Sequence, residues 1–371
     1  MALIVFVIIL SILILTHEWG HFIMAKKCGI KVDQFSLGFG PKLFSRVHEG
    51  TEFCLCAIPL GGYVKMAGDE REHCSGAGDE FFAKSAGQRA LVVVIGPVVN
   101  LALAYGCFWL VFLIGFVDMD ASAKKIEPRI GQVLSGSAAE KAGLMTGDKV
   151  LAIDGITIAH WPDLQEYIVK SKTAQLAMTL ERDGQVLTKI VVPQDQGQKD
   201  IFGREHNFRR VGIGSAQIKN VQDMIIVRYG FWGSFTRAGQ ELVNVSAKTY
   251  AALYEMLVGL RSPKEAMGVV GMFFVIKFAL SVGFSFLLHI IGVISLGLAI
   301  FNLLPLIPLD GGHLLLFAVE KMRGKALPVK AELMIARGGF YLIVTLALFV
   351  FYADFERIGL IDNIRSIFLK S

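Results

Sequence analysis

Two histidines and a glutamate near the start of the chain have the types and spacing of a metal-dependent hydrolytic site. The segment Thr16-His17-Glu18-Trp19-Gly20-His21 places His17 and His21 one helical turn apart, where both imidazoles can bind one zinc ion. Glu18 lies beside them, where a carboxylate can take a proton from water. We predict that His17 and His21 are metal ligands and that Glu18 is the catalytic base.

The residues before this motif indicate that it lies at membrane depth. Residues 1–16 carry no charged side chain, and ionisable groups inside a bilayer are costly and usually functional. The alternative is a secretory signal peptide. Against it, no basic residue precedes the apolar run, and the run ends in a bulky charged motif instead of small residues.

A catalytic zinc site usually has three protein ligands, so a third residue is needed. Asp310 is the candidate, because it is a carboxylate at the end of an apolar segment with no charged neighbour in sequence. Its position before Gly311-Gly312 would also suit a turn or a helix cap. His313 is a rival ligand that we rank below Asp310.

The composition and length of the apolar segments indicate a polytopic membrane protein. Of the 371 residues, 54% are hydrophobic and 19% are charged, against about 25% charged in soluble domains. Four segments are long enough to span a bilayer: residues 2–24, 90–117, 279–309 and 338–353.

Basic residues flank these segments on one side, which predicts that side to be cytoplasmic. They are Lys26, Lys27, Lys31, Lys84, Arg89, Lys321, Arg323, Lys325 and Lys330. The metal site then lies near the cytosol, and residues 118–278 face the other compartment. The net charge of +5 is modest and no basic stripe is interleaved with aromatic residues, so we expect no nucleic acid partner. We expect the five cysteines, all before residue 108, to be reduced.

The segment between the first two spans is rich in glycine and has the alternation of strands. Gly38-Phe39-Gly40-Pro41 predicts a turn, residues 52–58 alternate in polarity, and Gly61-Gly62-Tyr63-Val64-Lys65-Met66 follows. Such a segment could lie in the membrane and pair with an unwound substrate by strand addition. The alternative is an ordinary cytosolic hairpin.

Residues 124–217 predict a soluble insert. The run Ala-Gly-Leu-x-x-Gly-Asp-x-Val-x-x-Ile-Asp-Gly at 142–155, with a helix near 161–170 and a strand near 176–182, resembles a circularly permuted PDZ domain. Such a domain either binds a peptide in its groove or acts as a steric gate for substrates. Residues 233–266 have the periodicity of an amphipathic helix, which lies on the outer membrane surface or packs against the PDZ domain.

These features predict an α-helical polytopic membrane protein with about four transmembrane helices, a membrane-associated β segment and one inserted PDZ domain. Four regions follow. Residues 1–117 hold the first two membrane helices, the histidine motif and the β-rich segment, and residues 118–220 form a periplasmic PDZ domain. Residues 221–278 form an amphipathic juxtamembrane region, and residues 279–371 hold the last two membrane helices with Leu309-Asp310-Gly311.

The motifs and their order resemble the site-2 protease family of intramembrane zinc proteases (peptidase family M50), and within it the bacterial regulator of sigma-E protease group. The likeness covers nearly the whole chain and includes Gly38-Phe39-Gly40-Pro41, the 61–66 segment and Gly96-Pro97-Val98-Val99-Asn100. It implies a zinc endopeptidase with His17, His21 and Asp310 as ligands and Glu18 as base.

The resemblance also implies roles for other residues. Asn302 would hold the substrate backbone or the developing oxyanion, and Gly61, Gly62, Tyr63, Val64, Lys65 and Met66 would bind extended substrate. Gly96 and Asn100 would pack the second span against the catalytic helices. The implied substrates are transmembrane segments of single-span proteins in the bacterial inner membrane, such as an anti-sigma factor or remnant signal peptides, cleaved in regulated intramembrane proteolysis.

Two features depart from the family pattern: residues 118–232 have room for one PDZ domain instead of two, and Pro308 lies one position nearer to Asp310. Two other functions stay open. One is a membrane-anchored zinc protease that acts on soluble or misfolded chains. The other is a non-catalytic PDZ scaffold in the membrane.

Overall fold

The computed structural model describes residues 1–117, 126–199, 205–215 and 226–358. The predicted boundaries at 118 and 220–221 and the last residues of the fourth predicted region, 359–371, lie outside the described residues. The helices are α1 (Ala2–Lys27), α2 (Ala86–Ile114), α3 (Ala138–Lys141), α4 (Trp161–Lys170), α5 (Phe231–Leu257), α6 (Val269–Val282), α7 (Phe284–Asn302), α8 (Asp310–Arg323) and α9 (Val329–Arg357).

The strands are short except for the first two. They are β1 (Val32–His48), β2 (Thr51–Met66), β3 (Phe116–Val117), β4 (Ile130–Val133), β5 (Lys149–Ile153), β6 (Ile156–Thr157), β7 (Leu176–Arg182), β8 (Gln185–Val191), β9 (Gln194–Lys199), β10 (Glu205–Arg210), β11 (Ile213–Ser215) and β12 (Ile226–Val227). The described residues divide into two compact units: Met1–Leu113 with Gly230–Phe355, and those within Ile114–Tyr229 with residues 356–358.

Four helices in the described part of the chain are long and apolar enough to cross a membrane: α1, α2, α7 and α9. This confirms the predicted polytopic helical architecture. The third predicted span is shorter than residues 279–309. Gly283, with a φ of 137°, separates α6 from α7, and α7 ends at Asn302 because Pro305 and Pro308 cannot continue a helix.

Glycines let the membrane helices pack closely. A Cβ added at Gly20 of α1 would lie 3.1 Å from the carbonyl oxygen of Ile95 in α2, and one added at Gly292 of α7 would meet Phe108 and Cys107 of α2. Small residues at such crossings allow the backbones to approach when lipid offers no hydrophobic driving force. The α1–α2 crossing therefore brings the second span directly against the histidine motif.

The long hairpin of β1 and β2 is bent so that one stretch of β1 has two neighbours. Residues 34–37 pair with residues 62–65 on one side and with residues 52–55 on the other, and residues 42–48 pair with residues 51–56. The segment at 62–66 therefore lies at one edge of this small sheet. Its outer side keeps backbone groups that can pair with another extended chain.

An ion-pair cluster, defined as Arg71, Arg89, Glu320 and Glu332, links α2 and the segment before it to α8 and α9. Arg89 contacts Glu320 at 2.6 Å, and Arg71 contacts Glu320 at 3.2 Å and Glu332 at 3.1 Å. Arg89 also lies over the ring of Phe317, 4.7 Å from its centroid. Such a paired and stacked network fixes the position of α8.

The second unit has its own core. A four-stranded antiparallel sheet of order β6-β5-β7-β8 packs with α4 around buried side chains such as Leu164, Leu176 and Met178. The helix and strand predicted near 161–170 and 176–182 are confirmed as α4 and β7. Asp148, only 1% exposed, receives two hydrogen bonds of 2.7 Å from Arg182.

Candidate metal centre

Helix α1 presents the two predicted histidine ligands on one face. His17 and His21 are each 8% exposed, and their Nε2 atoms lie 3.1 Å apart. The motif follows a long apolar run, so the helix continues through it without a break to Lys27. The one-turn spacing places both nitrogens toward a common point, as the sequence predicts.

Asp310 reaches the same point from the first residue of α8. Its Oδ2 lies 3.2 Å from Nε2 of His17 and 3.6 Å from Nε2 of His21. The turn before α8 is tight because Gly311 and Gly312 have no side chains. A Cβ at either glycine would collide with the backbone of residues 303–307. The two glycines therefore allow the chain to carry Asp310 to the histidines.

The three residues have the geometry of a zinc site. Zinc bonds of about 2.0–2.1 Å in a tetrahedral arrangement separate neighbouring ligand atoms by about 3.3 Å, which matches the observed 3.1, 3.2 and 3.6 Å. Oδ2 of Asp310 is buried and has no hydrogen-bond donor among the described residues. A cation would satisfy this oxygen, and two imidazoles with a carboxylate form a common zinc ligand set.

Helix α2 contacts the second ring nitrogen of a candidate ligand, His21. Nδ1 of His21 lies 2.8 Å from the carbonyl oxygen of Val92, and only a proton on Nδ1 can make this hydrogen bond. Nε2 of His21 then carries a lone pair for a metal. One turn further along α2, a Cβ at Gly96 would collide with both imidazole rings. Gly96 is therefore required by the close approach of the two histidines.

A cavity of about 430 Å³ opens beside the three candidate ligands. Glu18 and Asn302 line it, and Nδ2 of Asn302 lies 3.4 Å from Nε2 of His17. The hairpin edge forms part of its wall, since Tyr63, Val64 and Met66 also line it. A Cβ at Gly62 would lie 3.4 Å from Cγ of Glu18, so the edge segment runs next to the predicted base.

The structure gathers most of the predicted site residues and leaves a few outside. Lys65 is exposed and does not line the cavity, and Gly61 packs against the ring of Phe39. His313 lines the cavity, but the group of potential metal ligands found in the described residues is His17, His21 and Asp310.

Sequence reasoning missed the contact of Val92 with His21. The spacing of four residues from Val92 to Gly96, and again to Asn100, was the signal that one face of α2 meets the site. The identity of Val92 carries no such signal, because the contact uses its backbone.

Comparisons with known proteins agree with the resemblance in the sequence. The family described as Peptidase family M50 matches residues 5–346. A protein of Campylobacter jejuni is 32% identical over 356 residues, which cover 95% of this chain and 92% of the relative. A protein of Brucella suis is 31% identical over 363 residues, which cover 94% and 93%. Both are named provisionally as zinc metalloproteases.

The regulator of sigma-E protease of Salmonella typhimurium is 27% identical over an alignment 445 residues long. This alignment covers 95% of this chain and 98% of the relative. The family match and these relatives extend over both helices that carry the candidate ligands, α1 and α8. The chain belongs to peptidase family M50.

Proposed function

We propose that the chain is a zinc-dependent intramembrane endopeptidase that cleaves transmembrane segments of single-span membrane proteins. The observation that carries this proposal is the convergence of two imidazoles from the membrane helix α1 with one carboxylate from α8, beside an edge strand. Zinc is the cofactor that this ligand set and membership in family M50 favour.

In the proposed mechanism, His17, His21 and Asp310 would hold zinc. When bound, zinc would act as a Lewis acid that activates water and polarises the substrate carbonyl. Glu18 takes the proton from the attacking water and delivers it to the nitrogen of the leaving amine. Asn302, at the cavity wall, donates a hydrogen bond from its amide to the substrate backbone or to the developing oxyanion.

The substrate must unwind before it can react, because the carbonyl groups of a helix are already hydrogen-bonded. We infer that the segment at 61–66 binds the unwound chain by strand addition. Its support is its place at the sheet edge and the approach of Gly62 to Glu18. Backbone hydrogen bonds to this edge would offset the cost of exposing peptide groups inside the membrane.

The second unit is proposed to be a PDZ domain on the periplasmic side of the bacterial inner membrane, with the metal site near the cytosol. Support comes from the glycine-rich motif at 142–155 and from a groove of about 260 Å³ between α4 and β11, lined by Leu164, Ile168 and Ile213. The groove would bind a peptide or restrict access of bulky substrates. An anti-sigma factor or remnant signal peptides are the proposed substrates.

The test replaces the predicted base and follows cleavage of a single-span substrate after reconstitution into lipid vesicles. Glu18→Gln is expected to lower the cleavage rate by about 100-fold or more, because general base catalysis is lost. Glu265→Gln, which changes a glutamate that is 57% exposed, serves as the matched control. Undiminished cleavage by Glu18→Gln would rule out the mechanism.

A second substrate separates the two protease hypotheses. An unfolded soluble chain added outside the vesicles should be cleaved far more slowly than the single-span substrate. Equal rates would favour a membrane-anchored protease for soluble chains instead.

A further inference from the structure

Asn100 is a buried polar residue of α2 that faces a candidate metal ligand. It is 0% exposed, and its Nδ2 lies 3.5 Å from Nδ1 of His17. Its Oδ1 is buried and has no hydrogen-bond donor among the described residues. A buried amide in a membrane span is costly unless its polar atoms are satisfied. The side chain therefore has an unused acceptor next to a histidine.

The chemistry of His17 determines which amide atom it needs. Nε2 of His17 is the atom that faces His21 and Asp310. A neutral imidazole can bind a metal through Nε2 only when the proton is on Nδ1. Nδ1–H then requires an acceptor, and Nδ2 of Asn100 is a donor. Rotating the side-chain carboxamide of Asn100 by half a turn exchanges the positions of its nitrogen and oxygen. Oδ1 then faces Nδ1–H of His17, which is the donor that it lacks.

We propose that Asn100 is a positioning residue whose amide oxygen accepts a hydrogen bond from Nδ1–H of His17, holding Nε2 toward the metal. This inference rests on the proposed function, because it assigns a role around the same zinc site. His21 is held in the corresponding way by the carbonyl oxygen of Val92. Each ligand histidine thus has its own acceptor on α2.

Helix geometry explains how acceptors eight residues apart can serve histidines four residues apart. Val92 and Asn100 are separated by about 12 Å along α2, whereas His17 and His21 are separated by about 6 Å along α1. Helix carbonyls point toward the carboxyl terminus, and side chains tilt toward the amino terminus. The carbonyl of Val92 and the side chain of Asn100 therefore lean toward each other over Gly96.

The experiment measures zinc affinity by competition with a chelator, in detergent, using the Glu18→Gln protein so that activity is not the readout. Asn100→Leu has a similar volume and no acceptor, and is expected to weaken zinc binding by about 10- to 100-fold. Ser295→Ala is the control. It removes a 2.7 Å hydrogen bond to the backbone carbonyl of Asn100 and leaves the amide in place, so zinc affinity should be unchanged.

Asn100→Asp separates the acceptor role from a packing role. Aspartate keeps an oxygen acceptor and loses the donor, so it should restore zinc affinity to near that of the parent. The melting temperatures of the metal-free proteins report on folding independently. If Asn100→Asp does not fold, the zinc affinity of Asn100→Leu alone tests the proposal.

Unchanged zinc affinity in Asn100→Leu would overturn the proposal. Equal weakening by Leu and Asp, with both metal-free proteins stable, would also overturn it, because the amide would then act as a donor. Failure of the proposed function would give a different result. Glu18→Gln would still cleave the substrate, while zinc affinity would still fall in Asn100→Leu and be kept in Asn100→Asp.

Discussion

The two ends of α8 each carry a carboxylate, and their surroundings differ in one respect. Asp310 at the first residue has two imidazoles within 3.6 Å and a buried oxygen with no hydrogen-bond donor among the described residues. Glu320, nearly three turns later, contacts the guanidinium groups of Arg89 and Arg71. One carboxylate faces two imidazole nitrogens, and the other faces permanent cations.

This difference distinguishes a reactive site from a structural contact. The partly buried carboxylate paired with arginine has its charge balanced by the protein itself, so it needs no ligand. The carboxylate whose buried oxygen faces two imidazole nitrogens has no arginine beside it among the described residues, and a divalent cation would supply the missing charge. Four changes test whether the ends of α8 have these separate roles.

The largest effect is expected at the metal end. Asp310→Asn removes a charged ligand and should abolish measurable cleavage and most bound zinc, a loss greater than the about 10- to 100-fold typical of residues that only support a ligand. Zinc content by elemental analysis and cleavage of the single-span substrate measure this. Glu320→Gln is the control and should keep its zinc. Full zinc content in Asp310→Asn would reopen His313 as the third ligand.

Breaking the structural end should lower stability without removing zinc. Arg89 is 3% exposed, so Arg89→Leu leaves Glu320 partly unpaired and is expected to cost about 3 kcal/mol of unfolding free energy. Chemical denaturation in detergent measures the change. The double substitution Arg89→Leu with Glu320→Leu should recover much of the loss, because no uncompensated carboxylate remains. No recovery would mean that Arg89 acts mainly through its contacts with Phe317.

Glycines at the two ends of α8 give a smaller contrast. A Cβ at Gly311 would collide with the backbone of Leu303 and Leu304, so Gly311→Ala should cost about 2 kcal/mol and weaken zinc binding by moving Asp310. Gly324 ends the helix with a φ of 67° and open space around it. Gly324→Ala should cost only about 1 kcal/mol of backbone strain and leave zinc bound. Equal zinc loss in both would contradict the contrast.

The smallest effect is a dependence of stability on pH at the structural end. Burial alone would raise the pKa of Glu320, but hydrogen bonds and charge from Arg89 and Arg71 hold it below its ordinary value of 4.5. Because the folded pKa is the lower one, the pairing stabilises fully above the unfolded value and is lost as pH falls through the folded pKa. The difference in melting temperature between the native protein and Glu320→Gln should therefore shrink below about pH 4.5. A difference that is constant with pH would contradict this.

Much of the membrane architecture follows from the sequence, because long uncharged runs and the histidine motif are local signals. The span that carries His17 could be predicted for that reason, and so could Asp310 as a candidate ligand. The break at Gly283 could not, since the flanking residues are equally apolar and only the backbone conformation distinguishes them. The pairing of residues 34–37 with both 52–55 and 62–65 could not be predicted either, because it depends on how β2 folds back along β1.

The candidate site shows the same limit. Ligand types and spacing predict His17, His21 and Asp310, but Val92 contacts His21 through a carbonyl that every residue possesses. The ion-pair cluster was also not predicted: its arginines and glutamates are distant in sequence, and their pairing requires that α2, α8 and α9 be already placed.

The contact of α2 with both histidines has a consequence for the newly made protein. His17 and His21 enter the bilayer long before Asp310 has been synthesised, and Val92 becomes available to His21 only after α2 has packed against α1. The metal therefore has no complete site while the chain is half inserted. A site built from these three residues is complete only once α1, α2 and α8 have packed together, so hydrolytic activity at this site requires assembly of most of the membrane unit.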